Sequence, residues 1–307
     1  MDIANAHLEA HTDKRRAVTE GEVDLIKAAA QYGVEHLGAD PAQAERAFQK
    51  HFRKVVREQD NSDGVIKEAL EDLSANPPDD ASADNDTQLT DEFLDRLESY
   101  SSAASTDELR KRWGRVLAAE VRKPGTFSGK VLRVVDELDS VTALQFEEVA
   151  KHRIGRVVPK ALVGKLAYQL RTNLVLADLL VEPGFTGQVM YYDDAADNAG
   201  EGLKLAGFTG VGAVALPPSA TVAASHGDED PLTLDASKTG IPCYLLTDVG
   251  EAIASILPDR QFDALSRYAH KAAASEQIEW VRLYVQRGSN FQMAGQIPGK
   301  KASEATN

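Results

Sequence analysis

Apolar residues in the first 73 positions recur every three or four residues, which predicts amphipathic helices. The first two sets are Val23, Ile26, Ala30 and Val34, then Phe48, Phe52, Val55 and Val56. Asp40 and Pro41 stand before the second set, where an Asp caps a helix and a Pro fits its first position. A third, shorter set follows from Ser62 to Leu73. The pattern predicts an N-terminal helical region over residues 1–73.

The helical pattern stops at residue 74. The run SANPPDDASADNDTQ, residues 74–88, is rich in Asp, holds two prolines and has few apolar residues. Such a composition buries too little apolar surface to fold, so we predict a mobile acidic linker there. Apolar residues return at helical spacing over residues 89–182, which predicts a second helical region.

The segment Ser105–Val135 has the most defined local pattern in the chain. Ser105 and Glu108 have the spacing of a capping box, and an apolar stripe through Trp113 follows at helical spacing. Pro124 and Gly125 end that helix, and Ser128 is placed to cap the next one. The segment therefore predicts two helices joined by a short turn, with Trp113 anchoring their core.

The run WGRVLAAEVRKPGTFSGKVLRVVDEL within this segment resembles the core of a bacterial family known as domain of unknown function 2806. The signature residues are Trp113, Gly114, Leu117, Glu120, Pro124, Gly125, Phe127 and Ser128. Two further elements also resemble the family, and they consist of Arg57, Gln59 and Asn61 upstream and Tyr244, Leu246, Thr247 and Gly250 downstream. Gly129-Lys130 departs from the Arg-Thr usual in the family, and Ala119 from its Gly. The resemblance implies an architecture, with the signature residues in structural roles, rather than an activity.

Beyond residue 182 the pattern changes to short β-branched runs separated by turn residues, which predict strands. Helices are predicted among them over residues 193–206, 248–257 and 261–274. We therefore predict a small α+β module over residues 183–295, resembling a winged helix, with a disordered tail over 296–307. The fold class is α+β, with a mainly helical N-terminal two-thirds.

The net charge of −14 disfavours binding to nucleic acid or an anionic membrane over most of the surface. One segment differs, because Arg46, Lys50, Arg53, Lys54 and Arg57 crowd a single predicted helix. These five residues are the candidate interaction site, although a solvated face is the alternative interpretation. The lone Cys243 excludes an internal disulfide, and its apolar neighbours predict burial.

No motif in the sequence marks an enzyme. His7 and His11 have a spacing that allows a shared metal, but HLEAH is not the metalloprotease motif and no other His completes a site. The sequence has no phosphate-binding loop and no marked nucleophile. We therefore predict no catalytic residues, no cofactor and no metal.

The N-terminus lacks the apolar core of a secretory signal, and no run is long enough to span a membrane, so we expect a cytoplasmic protein. The leading hypothesis is a non-enzymatic protein that acts by contact with an unknown protein partner. A loose resemblance of its C-terminal run to abortive-infection proteins suggests phage defence. The alternative is nucleic-acid association through residues 46–57, and the third is an enzyme without a recognisable motif. The sequence predicts no oligomeric state.

Overall fold

The computed structural model describes residues 2–36, 38, 40–77, 89–184, 187–197, 199–220, 222, 229–235 and 237–300, without the side chains of residues 2–9 and 11. The chain divides into two compact units, Met1–Asp136 and Glu137–Asn307. The described residues form ten helices and nine strands. All pairs between these strands are antiparallel. The predicted α+β class is therefore confirmed.

The first unit is helical. Its helices are α1 (Asp2–His36), α2 (Pro41–Ala75), α3 (Asp91–Ser101), α4 (Asp107–Arg122) and α5 (Gly129–Glu137). Helix α2 is continuous where the sequence predicted two helices. The Asp40 side chain accepts from the backbone N–H of Ala42, as the predicted cap requires.

The capping box predicted at Ser105 is wrong by one residue. The N-cap of α4 is Thr106, whose hydroxyl oxygen accepts from the backbone N–H of Leu109 at 3.2 Å. A cap bonds the N–H three residues ahead, and α4 begins only at Asp107, so Thr106 and not Ser105 has the required position. Asp139 caps the helix Ser140–Ala150 of the second unit. The cap predicted at Ser128 is present, because its hydroxyl accepts from Val131.

Helices α1 and α2 pack against each other in opposite directions. Thr19 donates to Gln59 at 3.1 Å, and Arg16 donates to Asp63 at 3.1 Å, so the numbering rises along one helix as it falls along the other. Helix α4 packs on the C-terminal half of α2, where Gly114 of α4 lies beside Glu68. The core of this unit therefore lies among the C-terminal half of α2, α3, α4 and α5.

The second unit contains the remaining elements. Its helices are α6 (Ser140–Ala150), α7 (Lys160–Val163), α8 (Tyr168–Leu176), α9 (Asp248–Ala254) and α10 (Gln261–Ala273). Its strands are β1 (Val157–Pro159), β2 (Gln188–Tyr191), β3 (Asp193–Ala196), β4 (Gly202–Phe208), β5 (Gly212–Leu216), β6 (Thr233–Asp235), β7 (Lys238–Leu245), β8 (Trp280–Arg287) and β9 (Asn290–Pro298).

Two antiparallel sheets and helix α10 enclose the core of this unit. Strand β7 pairs with β1, β6 and β2, and the second sheet has the order β3-β4-β5-β8-β9. The buried face of α10 packs against β5 and β8, and its Tyr268 hydroxyl bonds that of Tyr192 at 3.1 Å within the core. Cys243 is fully buried on β7, as predicted, and burial raises the pKa of its thiol to about 12.

The helix predicted over residues 193–206 is wrong, because this segment forms the β3–β4 hairpin. The carboxylate of Asp197 accepts from the backbone N–H groups of Ala199 and Glu201, and Gly200 has a φ of +81°. An Asp that bonds the backbone ahead of it favours a turn over a helix. The winged-helix description rested on this helix and is not confirmed.

Some predicted boundaries fall inside regular elements. Helix α2 includes residues 74 and 75, which the sequence assigned to the linker, and most of that linker lies outside the described residues. Strand β9 includes residues 296–298, which the sequence assigned to the tail, and residues 301–307 also lie outside the described residues.

Candidate functional site

The α1–α2 hairpin continues past the core as an arm, defined here as residues 20–36 of α1 and 41–58 of α2. Every described residue in the arm is exposed or half-buried, and the first buried residue of α2 is Asn61. With a rise of 1.5 Å per residue, the α1 half of the arm is roughly 25 Å long. The arm therefore contributes its surface, rather than buried core, to the first unit.

All five cations of the candidate interaction site lie on the arm and are exposed. Arg46, Lys50, Arg53 and Arg57 are spaced by four, three and four residues, so they follow one face of α2. Lys54 forms an ion pair with Glu58 at 3.7 Å, whereas the other four have no carboxylate partner among the described residues. We call these four residues the basic stripe.

Apolar side chains lie in the arm as well. Phe48 and Phe52 stack with ring centroids 5.9 Å apart, and Phe48 is half-buried while Phe52 is exposed. On α1, Leu25 is 70% exposed and Tyr32 is 56% exposed. The arm therefore offers apolar contacts as well as positive charge.

A small cleft of about 40 Å³, lined by both apolar and polar side chains, lies at the base of the arm. Its lining includes Arg15, Gln59, Ser62, Leu97, Glu98 and Ser101. Glu98 forms an ion pair with Arg15, and burial raises the pKa of its carboxyl while Arg15 opposes that rise. A space of this size holds a water molecule or two and excludes a substrate. The cleft therefore joins α1 to α3 rather than serving as a binding pocket.

Asn61 and Arg110 connect three segments next to this cleft. The Asn61 amide donates to the carbonyl of Ser102 at 2.8 Å and accepts from Arg110 at 2.9 Å. Arg110 also donates to the carbonyl of Ala104 at 3.2 Å. This network gives Asn61, part of the upstream family element, a structural role. Sequence reasoning missed Arg110, because its partner lies on another helix.

The family signature residues lie in the core and turn of the α4–α5 hairpin. Trp113 is buried and stacks on Tyr100 with a centroid distance of 5.1 Å. A Cβ at Gly114 would lie 2.6 Å from the Cβ of Glu68, so only glycine permits this close approach of α4 to α2. Leu117 and Phe127 are buried alongside them. These contacts indicate packing roles for the four residues.

The polar residue of the signature holds the turn between the helices. Buried Glu120 accepts hydrogen bonds from the backbone N–H groups of Gly125 at 2.6 Å and Phe127 at 2.8 Å. Gly125 has a φ of +86°, a conformation that favours glycine. Pro124 precedes it, and Ser128 caps α5. The carboxylate of Glu120 is therefore engaged by the backbone of its own turn.

Arg122, at the end of α4, has a partner that the sequence did not indicate. Its guanidinium pairs with the carboxylate of Asp72 and donates to the carbonyls of Asp72 and Asn76 at the end of α2. The side chain therefore caps the C-terminus of a neighbouring helix. Sequence reasoning missed this contact, because Asp72 and Asn76 lie about 50 residues away in the chain.

The downstream element around Tyr244 is also engaged in the fold. The hydroxyl of Tyr244 accepts from the backbone N–H of Leu166 at 3.0 Å. Thr247 caps α9 by accepting from Gly250 at 2.9 Å, and it donates to the carbonyl of Asp178. A side chain at position 250 would collide with the carbonyl of Leu179. The element therefore fixes the start of α9 against the segment around Leu179 that follows α8.

The described residues provide no set of metal ligands and no helix that spans a membrane. The side chains of His7 and His11 lie outside the described part of the structure. Within that part, no group of three or more His, Cys, Asp or Glu side chains could hold a metal ion. None of the helices in the described ranges is long and apolar enough to cross a bilayer.

Part of this chain matches a known protein family. The model of the family described as Protein of unknown function (DUF2806) matches residues 45–181. The resemblance inferred from the sequence is therefore confirmed over residues 45–181. The match includes the basic stripe and the whole signature, whereas the Tyr244 element lies beyond it. Comparisons with curated proteins and with solved structures found no match.

Proposed function

We propose that this protein is a non-enzymatic cytoplasmic protein that binds an acidic protein partner through its arm. The basic stripe is the observation that carries the proposal. Between Arg46 and Arg57 the sequence holds five cations and no Asp or Glu, in a chain whose net charge is −14. Such a local reversal of sign steers an acidic partner to the stripe, while the rest of the surface repels it.

The exposed apolar side chains of the arm support a protein partner. Specific protein interfaces combine apolar and aromatic anchors with charged rims. Phe52 lies on the same helix as the stripe, and Leu25 and Tyr32 lie on α1, all of them exposed. Exposed apolar side chains grouped on one surface are the condition expected of a surface that a partner covers.

Affinity capture with charge-reversed baits tests this proposal. The arm variant reverses Lys50, Arg53 and Arg57 to Glu, at positions that are all exposed, so the fold should be kept. The control variant reverses Lys111, Arg115 and Lys123 to Glu, which are also exposed residues of the first unit. Both variants change the net charge equally, so only the position of the charge differs.

Wild type and the control variant should capture a common protein that the arm variant loses, and that protein should be acidic at the contact. Its retention should fall as salt is raised, because exposed charge pairs are screened. Capture of the same proteins by all three baits would contradict the proposal.

The second candidate function is binding of nucleic acid by the same stripe. The observation that favours it is the absence of carboxylate partners for Arg46, Lys50, Arg53 and Arg57 among the described residues, which leaves their charges available to phosphates. On duplex DNA, each of four such contacts would contribute roughly −0.9 to the slope of log binding constant against log salt concentration. The net charge of −14 opposes this candidate by long-range repulsion.

Fluorescence anisotropy separates the two candidates. We expect no binding of labelled duplex or single-stranded nucleic acid at physiological salt by wild type. Tight binding that falls steeply with salt, and that the arm variant loses while the control variant keeps it, would replace the first candidate with the second.

A further inference from the structure

Helix α1 carries a row of apolar residues besides the face that packs on α2. The α2-facing set is half-buried and consists of Thr19, Val23, Ile26, Ala30 and Val34. Thr19 identifies this face, because its hydroxyl donates to Gln59 of α2 at 3.1 Å. The additional row, called the α1 row here, consists of Val18, Leu25 and Tyr32, which are 44%, 70% and 56% exposed. These exposures show that no described residue covers the α1 row.

The residues of the α1 row are spaced seven apart, which is the period of a coiled-coil seam. Seven residues make nearly two turns of an α-helix, so successive members are offset by only about 20°. Val18 and Leu25 each stand one position before a member of the α2-facing set, so the two faces lie about 100° or more apart. At 1.5 Å per residue, the row extends for roughly 21 Å along α1.

Small residues stand between the large ones. With Val18, Leu25 and Tyr32 at the a positions of a heptad, the d positions between them hold Gly21 and Ala28. Nothing lies within 4 Å of the Cβ position at Gly21. Another helix can therefore approach α1 closely between the three large side chains and bury them.

The charge beside the α1 row is negative. Glu22 and Asp24 occupy the e and g positions of its first heptad, and both are exposed. The next e and g positions hold the uncharged Ala29 and Gln31, and Lys27 lies at a c position on the far side of the helix. Charges at e and g select the partner of a helix, so these residues favour a helix that carries Lys or Arg beside its own apolar seam.

We propose that the α1 row binds an α-helix of another protein, with apolar residues at heptad spacing and basic residues beside them. Such a helix covers the three exposed side chains and brings opposite charge to Glu22 and Asp24. A second copy of this chain is the less favourable occupant, because two chains of net charge −14 repel each other.

The α1 row is a different surface from the basic stripe, so this inference goes beyond the proposed function. The stripe lies on α2 and attracts acidic groups, whereas the row lies on α1 and attracts basic ones. One partner can supply both contacts, since each helix of the arm carries one of the two surfaces.

A designed peptide tests the proposal by fluorescence anisotropy. The peptide has about four heptads with Leu at a and d and Lys at e and g, whose like charges keep it from pairing with itself. Wild type should bind it, and the row variant, Leu25→Gln with Tyr32→Gln, should bind about tenfold or more weakly. Gln is a good helix former, so α1 should be retained. The control replaces the same residue types at exposed positions of α8, as Tyr168→Gln with Leu176→Gln, and should bind as wild type does.

Two charge variants test the sign of the ligand. Glu22→Gln with Asp24→Asn removes the acids beside the row and should weaken binding about threefold or more. Asp193→Asn with Asp194→Asn removes the same charge at exposed positions of β3 and should change binding less. The arm variant with the reversed stripe should still bind the peptide, so a failure of this proposal is distinguishable from a failure of the proposed function.

Three results would overturn the proposal. The first is no binding of the peptide by wild type at concentrations up to about 1 mM. The second is equal binding by wild type and the row variant, or an equal effect of the two charge variants. The third is sedimentation of wild type as a dimer that the row variant dissociates, which would assign the row to a second copy.

Discussion

The buried carboxylate of Glu120 accepts a 2.8 Å hydrogen bond from the backbone N–H of Phe127. The same carboxylate accepts from Gly125 at 2.6 Å, so one side chain bonds two N–H groups of the turn between α4 and α5. Those N–H groups have no helical partner, because they lie between the end of one helix and the start of the next. The relationship explains why a Glu and a Pro-Gly turn occur together in the family signature.

Replacing Glu120 by Ala should lower the free energy of unfolding by about 2–4 kcal/mol. The substitution leaves two backbone donors without their acceptor, and each buried unsatisfied group costs roughly 1–3 kcal/mol. Chemical denaturation measures the loss. Glu108→Ala, at an exposed position of the same helix, is the control and should change stability by no more than about 0.5 kcal/mol. Equal effects from the two substitutions would show that Glu120 does not hold the turn.

Two glycines on different helices should respond to Ala in opposite directions. At Gly114 the new Cβ would lie 2.6 Å from the Cβ of Glu68, so we expect a loss of about 1–3 kcal/mol from overpacking. At Gly21 nothing lies within 4 Å of the Cβ position, so Ala should stabilise helix α1 by about 0.5–1 kcal/mol. Thermal melts of the two variants measure whether each change in stability has the expected direction. No loss of stability in Gly114→Ala would contradict the close packing of α4 on α2, and a loss in Gly21→Ala would contradict the open surroundings of Gly21.

Glu98→Gln should become more stable relative to wild type as pH rises. Burial raises the pKa of Glu98, so the folded state holds this proton more tightly than the unfolded chain does. Ionisation of Glu98 therefore costs the wild-type protein stability between its unfolded and folded pKa values, and Gln stays neutral throughout. The stability difference between the variant and wild type should increase as pH rises above the ordinary Glu pKa of about 4.

Denaturation midpoints at several pH values measure this difference. Asp95→Asn is the control, because Asp95 also faces Arg15 but is largely exposed. The difference in unfolding free energy between Asp95→Asn and wild type should change less with pH. A flat profile for Glu98→Gln would mean that burial does not govern the ionisation of Glu98.

Helices whose partners lie close in sequence were predictable, and the long-range contacts were not. The period of apolar residues and the Asp40-Pro41 pair predicted α2, and the stripe through Trp113 predicted the buried face of α4. The pairing of Arg122 with Asp72 spans 50 residues, so no local pattern could reveal it. The basic stripe was evident in the sequence, but its lack of carboxylate partners among the described residues depends on where α1 lies.

Two β-elements were missed for identifiable reasons. The run around Asp197 is rich in Ala, Asp and Glu, a composition that suggests a helix, whereas the Asp197 carboxylate bonds the backbone ahead and forms a turn. Strand β9 lacks a regular alternation, because the bulge near Ala294 changes the face on which side chains lie. In both segments a local backbone feature prevailed over the pattern of residue types.

Photo-crosslinking at the arm tests the central claim most directly. A photoreactive amino acid at position 53, within the basic stripe, should form a covalent adduct with a distinct protein in cells. The same residue at position 115, equally exposed on α4 and outside the arm, should not form that adduct. The account predicts a protein adduct at position 53 that disappears when Lys50 and Arg57 are reversed to Glu. Adducts with nucleic acid alone at position 53, or the same protein adduct at both positions, would contradict it.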